Sequence, residues 1–245
     1  MKLEKGAFFL LILSALLGFW MGQNKKEEIK IAQIEGIAPN RSYPLLENKS
    51  FAVILYAHNS SLWCERALSS IFEQEHEACR VIFVDDASSD HTLEKAKQFA
   101  VGNQLEKKVS WIENKSKIGP VASIYLALDQ CLDEEIVLPL DATDWFCHRW
   151  VLTKLNLAYQ NPDVWLALGE TIDYPSYARS DPKDPKFLTF YAALFKKIEL
   201  TDLFQEGRFS QSKKVYYSPL LQLSGGRVRP FSEPLVFSNK AYRSN

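Results

Sequence analysis

The chain has 245 residues, 47% hydrophobic and 24% charged, with 29 Lys and Arg against 30 Asp and Glu for a formal net charge of -1. That balance excludes a general electrostatic grip on nucleic acid, whose affinity comes from phosphate neutralisation, so no nucleic-acid partner is expected. The length suits one α/β domain with an appendage. The scattered Cys64, Cys79, Cys131 and Cys147 form no C-x-x-C pair, which argues against a zinc knuckle or a thioredoxin-like motif and for reduced, buried thiols.

Residues Ala7 to Met21 form an uncharged apolar run, with Lys2 and Lys5 before it and Lys25 and Lys26 after it. It is a membrane-directed segment, shorter than the roughly 20 residues of a comfortable span but extendable by snorkelling lysines. Phe19, Trp20 and Met21 stand where a cleavage site needs small residues. An uncleaved single-pass anchor over 1–22 is therefore expected, with a signal peptide as the alternative. Lys25, Lys26 and Lys30 on the carboxyl side tilt the orientation towards a cytosolic domain. Residues 23–50, with mixed charge, Gly36, Pro39 and Pro44, read as a linker to a globular domain over 51–240.

Phe51 to Leu55 reads as a first buried strand, with Ser60 or Ser61 placed to cap the helix that Cys64, Ala67, Leu68, Ile71 and Phe72 continue at helical spacing. Val81 to Val84 is a second buried strand that runs straight into Asp85 and Asp86. Ser88 or Ser89 then suits the cap of a helix carrying Leu93, Ala96 and Ala100, and Val109 to Ile112 is a third strand. Gly119 and Pro120 open a helix lined by Val121, Ile124, Tyr125, Leu128 and Leu132. A fourth strand, Ile136 to Leu140, ends in Asp141-Ala142-Thr143-Asp144. This alternation predicts a mainly parallel sheet flanked by helices, with right-handed crossovers. A helix from Cys147 to Asn161 and a strand from Val164 to Leu168 come next. Glu170 to Lys186 reads as a loop over the ligand edge, and Phe187 to Leu203 fits either strand or helix. Leu220 to Leu223 reads as a short helix stopped by Gly225 and Gly226, and Arg227 to Phe237, with Pro230 and Pro234, as a closing segment at an edge or in a loop.

Two strands thus end in carboxylates. In open α/β sheets the ligand crevice lies beyond the carboxyl ends of the strands. Acids there suit a polar hydroxylated ligand or a hard cation such as Mn2+ or Mg2+, above all where a nucleotide diphosphate completes the coordination shell. Either cluster alone also serves as ordinary turn chemistry. His58, His91 and His148 have no H-x-x-x-H partner and read as surface or capping residues. Trp145 and Trp150 follow the second acid loop, where a ring suits sugar stacking or core packing.

Taken together and in order, motifs spread over about Phe51 to Phe237 resemble glycosyltransferase family 2, inverting transferases of the GT-A (Rossmann-like) fold. Tyr56-Ala57-His58-Asn59 is similar to the Pro-Thr-Tyr-Asn end of that family's first strand, and Val84 through Thr92 resembles its V-D-D-G-S-x-D-x-T signature. Asn114 followed by Gly119 resembles its N-x-G approach to the third helix. Leu140 to Asp144 resembles its L-D-x-D-D variant of the DxD motif, and Glu233-Pro234-Leu235 its closing strand. The resemblance implies that Tyr56, Asn59, Asp85, Asp86, Gly119, Asp141 and Thr143 form the nucleotide-sugar site. It likewise implies that Asp144, with Asp141, holds a divalent metal on the donor diphosphate.

Three positions depart from the pattern. Thr143 replaces an aspartate, and Ile124 stands where many members carry an arginine. Lys213-Lys214-Val215-Tyr216-Tyr217 occupies the place of the Glu-Asp pair that supplies the general base, leaving Glu170, Asp173, Asp181 and Asp184 as substitutes. The implied function is a membrane-tethered transferase that moves a sugar with inversion from a nucleotide-diphosphate donor to a glycan, lipid or protein acceptor. The alternative is a degenerate GT-A domain that binds nucleotide sugar, glycan or protein without transfer. A nucleotidyltransferase ranks below both, because no glycine-rich, Arg/Lys-bearing loop follows the first strand.

Overall fold

The computed structural model describes residues 46–181 and 186–243. The anchor expected over 1–22, the linker up to residue 45 and Asp184 lie outside the described residues. Among the described residues no helix is long and apolar enough to cross a membrane.

Strands β1 (Phe51–Ala57), β2 (Cys79–Asp85), β3 (Val109–Glu113) and β4 (Ile136–Asp141) pair in parallel in the order β3-β2-β1-β4. They alternate with helices α1 (Cys64–Phe72), α2 (Thr92–Gly102) and α3 (Pro120–Leu128); the two-residue strand β5 (Trp145–Phe146) and helix α4 (Val151–Tyr159) follow β4. Successive side chains of a strand point to opposite faces, and β1 divides the core accordingly. Phe51, Val53 and Leu55 join the cluster that holds Leu68 and Ile71 of α1 and Leu152 and Leu155 of α4. Ala52 and Ile54 join Val121, Ile124 and Leu128 of α3 on the other face. Ile124 is fully buried there, so the position that often carries an arginine is a packing position in this chain.

Beyond α4 the sheet continues with β6 (Leu166–Tyr174), β7 (Ala178–Arg179) and β8 (Phe187–Tyr191), then helix α5 (Ala192–Phe195). The hairpin β9 (Phe204–Gln205) and β10 (Arg208–Phe209), helix α6 (Tyr217–Ser224), strand β11 (Val228–Asn239) and helix α7 (Lys240–Arg243) complete it. The order runs on as β4-β8-β6-β11-β5, with β8 antiparallel to both neighbours and β11 parallel to β6. The long strands are therefore mainly parallel, with β8 inserted antiparallel at the centre and the two-residue strands β5 and β7 antiparallel to β11 and β6.

Several local expectations give way. The loop expected from Glu170 onwards begins as strand, because β6 runs to Tyr174 and its acid Glu170 is neutralised by Arg179 of β7 at 2.9 Å. Phe187 to Leu203 is both alternatives in turn, since the aromatic run makes β8 and the alanines after it start α5. The closing segment is a strand whose proline-bearing part, Val228 to Pro234, pairs with β6 alone among the described strands, as an edge would. Strand β11 lies between β6 and β5, and its prolines sit at register irregularities between Pro230 and Pro234 and between Pro234 and Val236.

The expected serine caps are also replaced. Cys64 donates its N–H to the Ser60 carbonyl at 2.9 Å. The start of α2 is satisfied by the Asp90 carboxylate, which accepts N–H bonds from Ser61 at 3.0 Å and Thr92 at 3.2 Å. Residues 46–50, expected as linker, are tied to α4, with Glu47 and Lys49 N–H groups donating to Gln160 at 3.1 Å and Asn156 at 2.9 Å. All four cysteines are free, and burial pushes the Cys64 and Cys131 thiols up to about 11.

Candidate functional site

The parallel register carries the motif residues to one end of the sheet. Tyr56 is the partner of Asp141, Ala57 of Asp85, and Asp85 of Glu113. The chains stay paired as they leave the strands: Ala142 N–H reaches Tyr56 O at 2.7 Å, Asp86 N–H Ala57 O at 2.8 Å, and Asn114 N–H Asp85 O at 2.9 Å. The strand tips are thus a rigid shelf from which loops depart.

Asp86 is the junction of those loops. It is fully buried, and its carboxylate accepts four hydrogen bonds: from Asn114 Nδ2 and Ile118 N–H at 2.9 Å, Gly119 N–H at 2.8 Å and Tyr56 OH at 3.0 Å. One carboxylate thus joins the Asp-Asp and N-x-G motifs in space. Gly119 has φ 92 and ψ 167, a region essentially confined to glycine, and that conformation turns its N–H into the junction. Burial, and then the charge of Asp86, raises the Tyr56 hydroxyl well above its ordinary pKa, so it stays a donor to that carboxylate.

Asp85 accepts Ser88 N–H at 3.0 Å through Oδ2, while its buried Oδ1 has no hydrogen-bond partner among the described residues. Asn59, at φ 51, accepts Ser89 N–H at 2.8 Å and joins the first-strand loop to the serine loop. Ala87 takes φ 56 at the place of the glycine in the signature it resembles. His58 sits on the Asp86 carbonyl at 2.8 Å and His148 accepts Trp150 N–H at 3.2 Å, both local caps. Trp145 is packed rather than open, stacked on Trp63 at 5.8 Å with the Arg66 guanidinium 3.8 Å above it, whereas Trp150 is about half exposed.

A cleft of about 480 Å³ opens at the strand tips. Of the expected site residues, Tyr56, Asp141 and Asp144 line it; Asn59, Asp85, Asp86, Gly119 and Thr143 do not. Asp144 is buried in a turn closed by its own N–H on Asp141 O at 2.9 Å, and its Oδ1 accepts Asn239 N–H from β11 at 2.8 Å. The opposite wall comes from residues that motif reasoning missed. Lys117, Lys186, Lys213, Lys214, Tyr216, Tyr217 and Lys240 line the cleft. The Lys213 ammonium lies 2.5 Å from Asp141 Oδ1, both side chains 21% exposed. The only local signal was the Lys213-Lys214 doublet standing where acids were expected.

The expected divalent cation does not fit this donor set. Among the described residues no three His, Cys, Asp or Glu side chains gather as ligands. Asp141 already holds an ammonium, Asp144 a backbone N–H, and five lysines surround the pair. As for the general base, Glu170 is bound to Arg179 and lies outside the cleft lining, and Asp181 is outside that lining too. Asp173 stands beside the lining, since its register partner is Ser238 and its Oδ1 is 3.6 Å from Lys240 Nζ, both lining residues.

Parallel strands that bring a tyrosine and two aspartates to one lysine-lined cleft define an α/β domain with its candidate site at the strand tips. Glycosyl transferase family 2 matches residues 52–216, and the chain belongs to that family. It is 28% identical over 122 residues to an uncharacterized glycosyltransferase of Haemophilus influenzae, covering 50% of this chain and 36% of that protein. A second uncharacterized glycosyltransferase, from Rickettsia bellii, is 24% identical over 168 residues, covering 66% of this chain and 22% of the relative. The chain thus spans about a third or less of the length of these curated relatives.

Two solved structures share the fold. Staphylococcus aureus TarS 1-349 in complex with UDP-GlcNAc superposes with a TM-score of 0.61 at 18% identity, over 78% of this chain and 58% of that one. A mannosyltransferase from Pyrobaculum calidifontis in complex with GDP-Man and Mn2+ gives 0.57 at 18% identity, over 82% and 61%. The expected GT-A architecture is the one observed.

Proposed function

We propose that this domain holds a nucleotide-diphosphate sugar in the strand-tip cleft and transfers the sugar, with inversion, to an acceptor hydroxyl on a glycan, lipid or protein. The observation that carries this reading is the cleft itself, in which Tyr56 and the Asp141–Asp144 turn face a wall of lysines. Ammonium groups offset the charge of a departing diphosphate, and the ring of Tyr56 offers the base a flat apolar face. Nucleotide sugars bound to two proteins of the same fold support the same ligand class here. Inversion requires one group to accept the acceptor's proton during attack. We assign that role to Asp173. The apolar run Ala7 to Met21 supports a membrane tether, and Lys25, Lys26 and Lys30 after it support a domain on the cytosolic side.

The test is turnover by the full chain. UDP-, GDP- and dTDP-sugars with a panel of glycan, lipid and peptide acceptors should yield product and free nucleoside diphosphate. Asp173→Asn should lower kcat while nucleoside diphosphate binding is kept. A second reading, binding without transfer, is favoured by one observation: lysines and tyrosines stand where the base pair of acids was expected. Nucleotide binding with no turnover across the panel would decide for it.

A further inference from the structure

Given the donor site proposed above, we propose that the Lys213 ammonium takes the place of a divalent cation on the donor's diphosphate, so that the cleft binds a nucleoside diphosphate without metal. Lys213 Nζ lies 2.5 Å from Asp141 Oδ1, which puts a positive charge on the very acid expected to share a cation. Both side chains are about four-fifths buried, at 21% exposure, so water screens the pair only in part.

Four further lysines, Lys117, Lys186, Lys214 and Lys240, line the cleft with only Asp141 and Asp144 as carboxylates among the described lining residues. A dication entering that field meets like charges at short range, whereas a diphosphate meets their complement. Lysine is a compact ammonium with three donors, suited to phosphate oxygens as a point charge. Its four-carbon stem lets the ammonium of Lys213 swing from Asp141 to a phosphate oxygen once the ligand enters. The placement is also local: Lys213 sits next to Tyr216, a fully buried ring at the cleft, on the short turn before α6.

The experiment is calorimetric titration of the full chain with UDP, GDP, dTDP and inorganic pyrophosphate, in EDTA and in Mn2+. At least one nucleoside diphosphate, and pyrophosphate more weakly, should bind in EDTA, with an affinity that Mn2+ leaves unchanged. Lys213→Gln should weaken that binding by about 10- to 100-fold, the worth of a hydrogen bond to a charged group. Lys213→Arg should restore most of it, and an unchanged melting temperature for both variants shows that folding is not the cause. Binding that appears only with Mn2+, or a Lys213→Gln variant that binds as well as the unchanged chain, overturns the inference and leaves the donor-site proposal standing. No binding of any nucleoside diphosphate in either buffer overturns both.

Discussion

One wall of the cleft is made by the tips of β1 and β4 and the loops behind them, the other by Lys186 to Leu188 at the start of β8 and by Gln211 to Tyr217 before and at the start of α6. The first wall holds most of the motifs that could be recognised, yet most of those residues face inward: Asp86 is saturated by four donors and Asn59 clamps the serine loop. The second wall has no recognised motif and supplies most of the cations that line the cleft. The contrast teaches that a signature marks backbone geometry that must be kept, and that the residues touching ligand can lie on the side with no signature. Loops placed by a rigid scaffold carry specificity for this reason.

The contrast is open to attack from the motif side first. Replacing Asp86 with Ala leaves the Tyr56 hydroxyl, the Asn114 amide and two N–H groups without their acceptor in a fully buried place. A loss of about 4 kcal/mol in denaturant unfolding is expected, at the upper end for single substitutions. If Asp86→Ala instead kept its stability and lost only nucleotide binding, Asp86 would be a ligand contact and the division between the walls would be wrong.

A medium effect is expected away from the cleft, where Arg80 grips Glu135 at 2.7 and 2.8 Å and ties the start of β2 to the turn before β4. Burial alone would raise the Glu135 carboxyl, but the Arg80 guanidinium and the Leu132 N–H outweigh it and hold it below the ordinary value. The stability this contributes is present above the ordinary carboxylate range and is lost as pH falls through the lowered folded value. Arg80→Ala should cost about 2 kcal/mol at pH 7, less than a fully buried pair because the Arg80 side chain is 31% exposed. The gap between the two proteins should close as pH falls below about 4, and a gap that stays constant in acid would show that Arg80 acts through packing. Nucleotide affinity should not change.

The smallest effect is expected at Ala87, whose φ of 56 is a conformation that favours glycine. Ala87→Gly should raise stability by about 0.5–1 kcal/mol, the relief of left-handed strain less the added chain entropy of glycine. Thermal unfolding reads it directly. A destabilised Ala87→Gly would mean that the methyl group is needed for packing.

The parallel half of the fold was legible because β-branched and aromatic runs, acids at their ends and helical spacing all repeat between Phe51 and Asp141. The second half was not, because its signals conflict. Strand β6 carries Glu170 and Asp173 within it, whose charges are met by Arg179 and Lys240 rather than by water. Strand β11 carries two prolines that only its register irregularities accommodate. Within the site, Tyr56, Asp141 and Asp144 were legible because they stand at strand ends or in the turn that follows one. Lys213 was not, because a lysine doublet reads as solvated surface until the fold folds it back onto Asp141.

The central claim is that the strand-tip cleft lined by Asp141 and Lys213 receives the donor's diphosphate. A crystal structure of the full chain with a bound nucleoside diphosphate tests it most directly. The account predicts the diphosphate against Lys213 and the Asp141–Asp144 turn, with the base beside Tyr56. A nucleotide seated elsewhere, such as the apolar groove along Tyr125, Leu126 and Phe209, would contradict it.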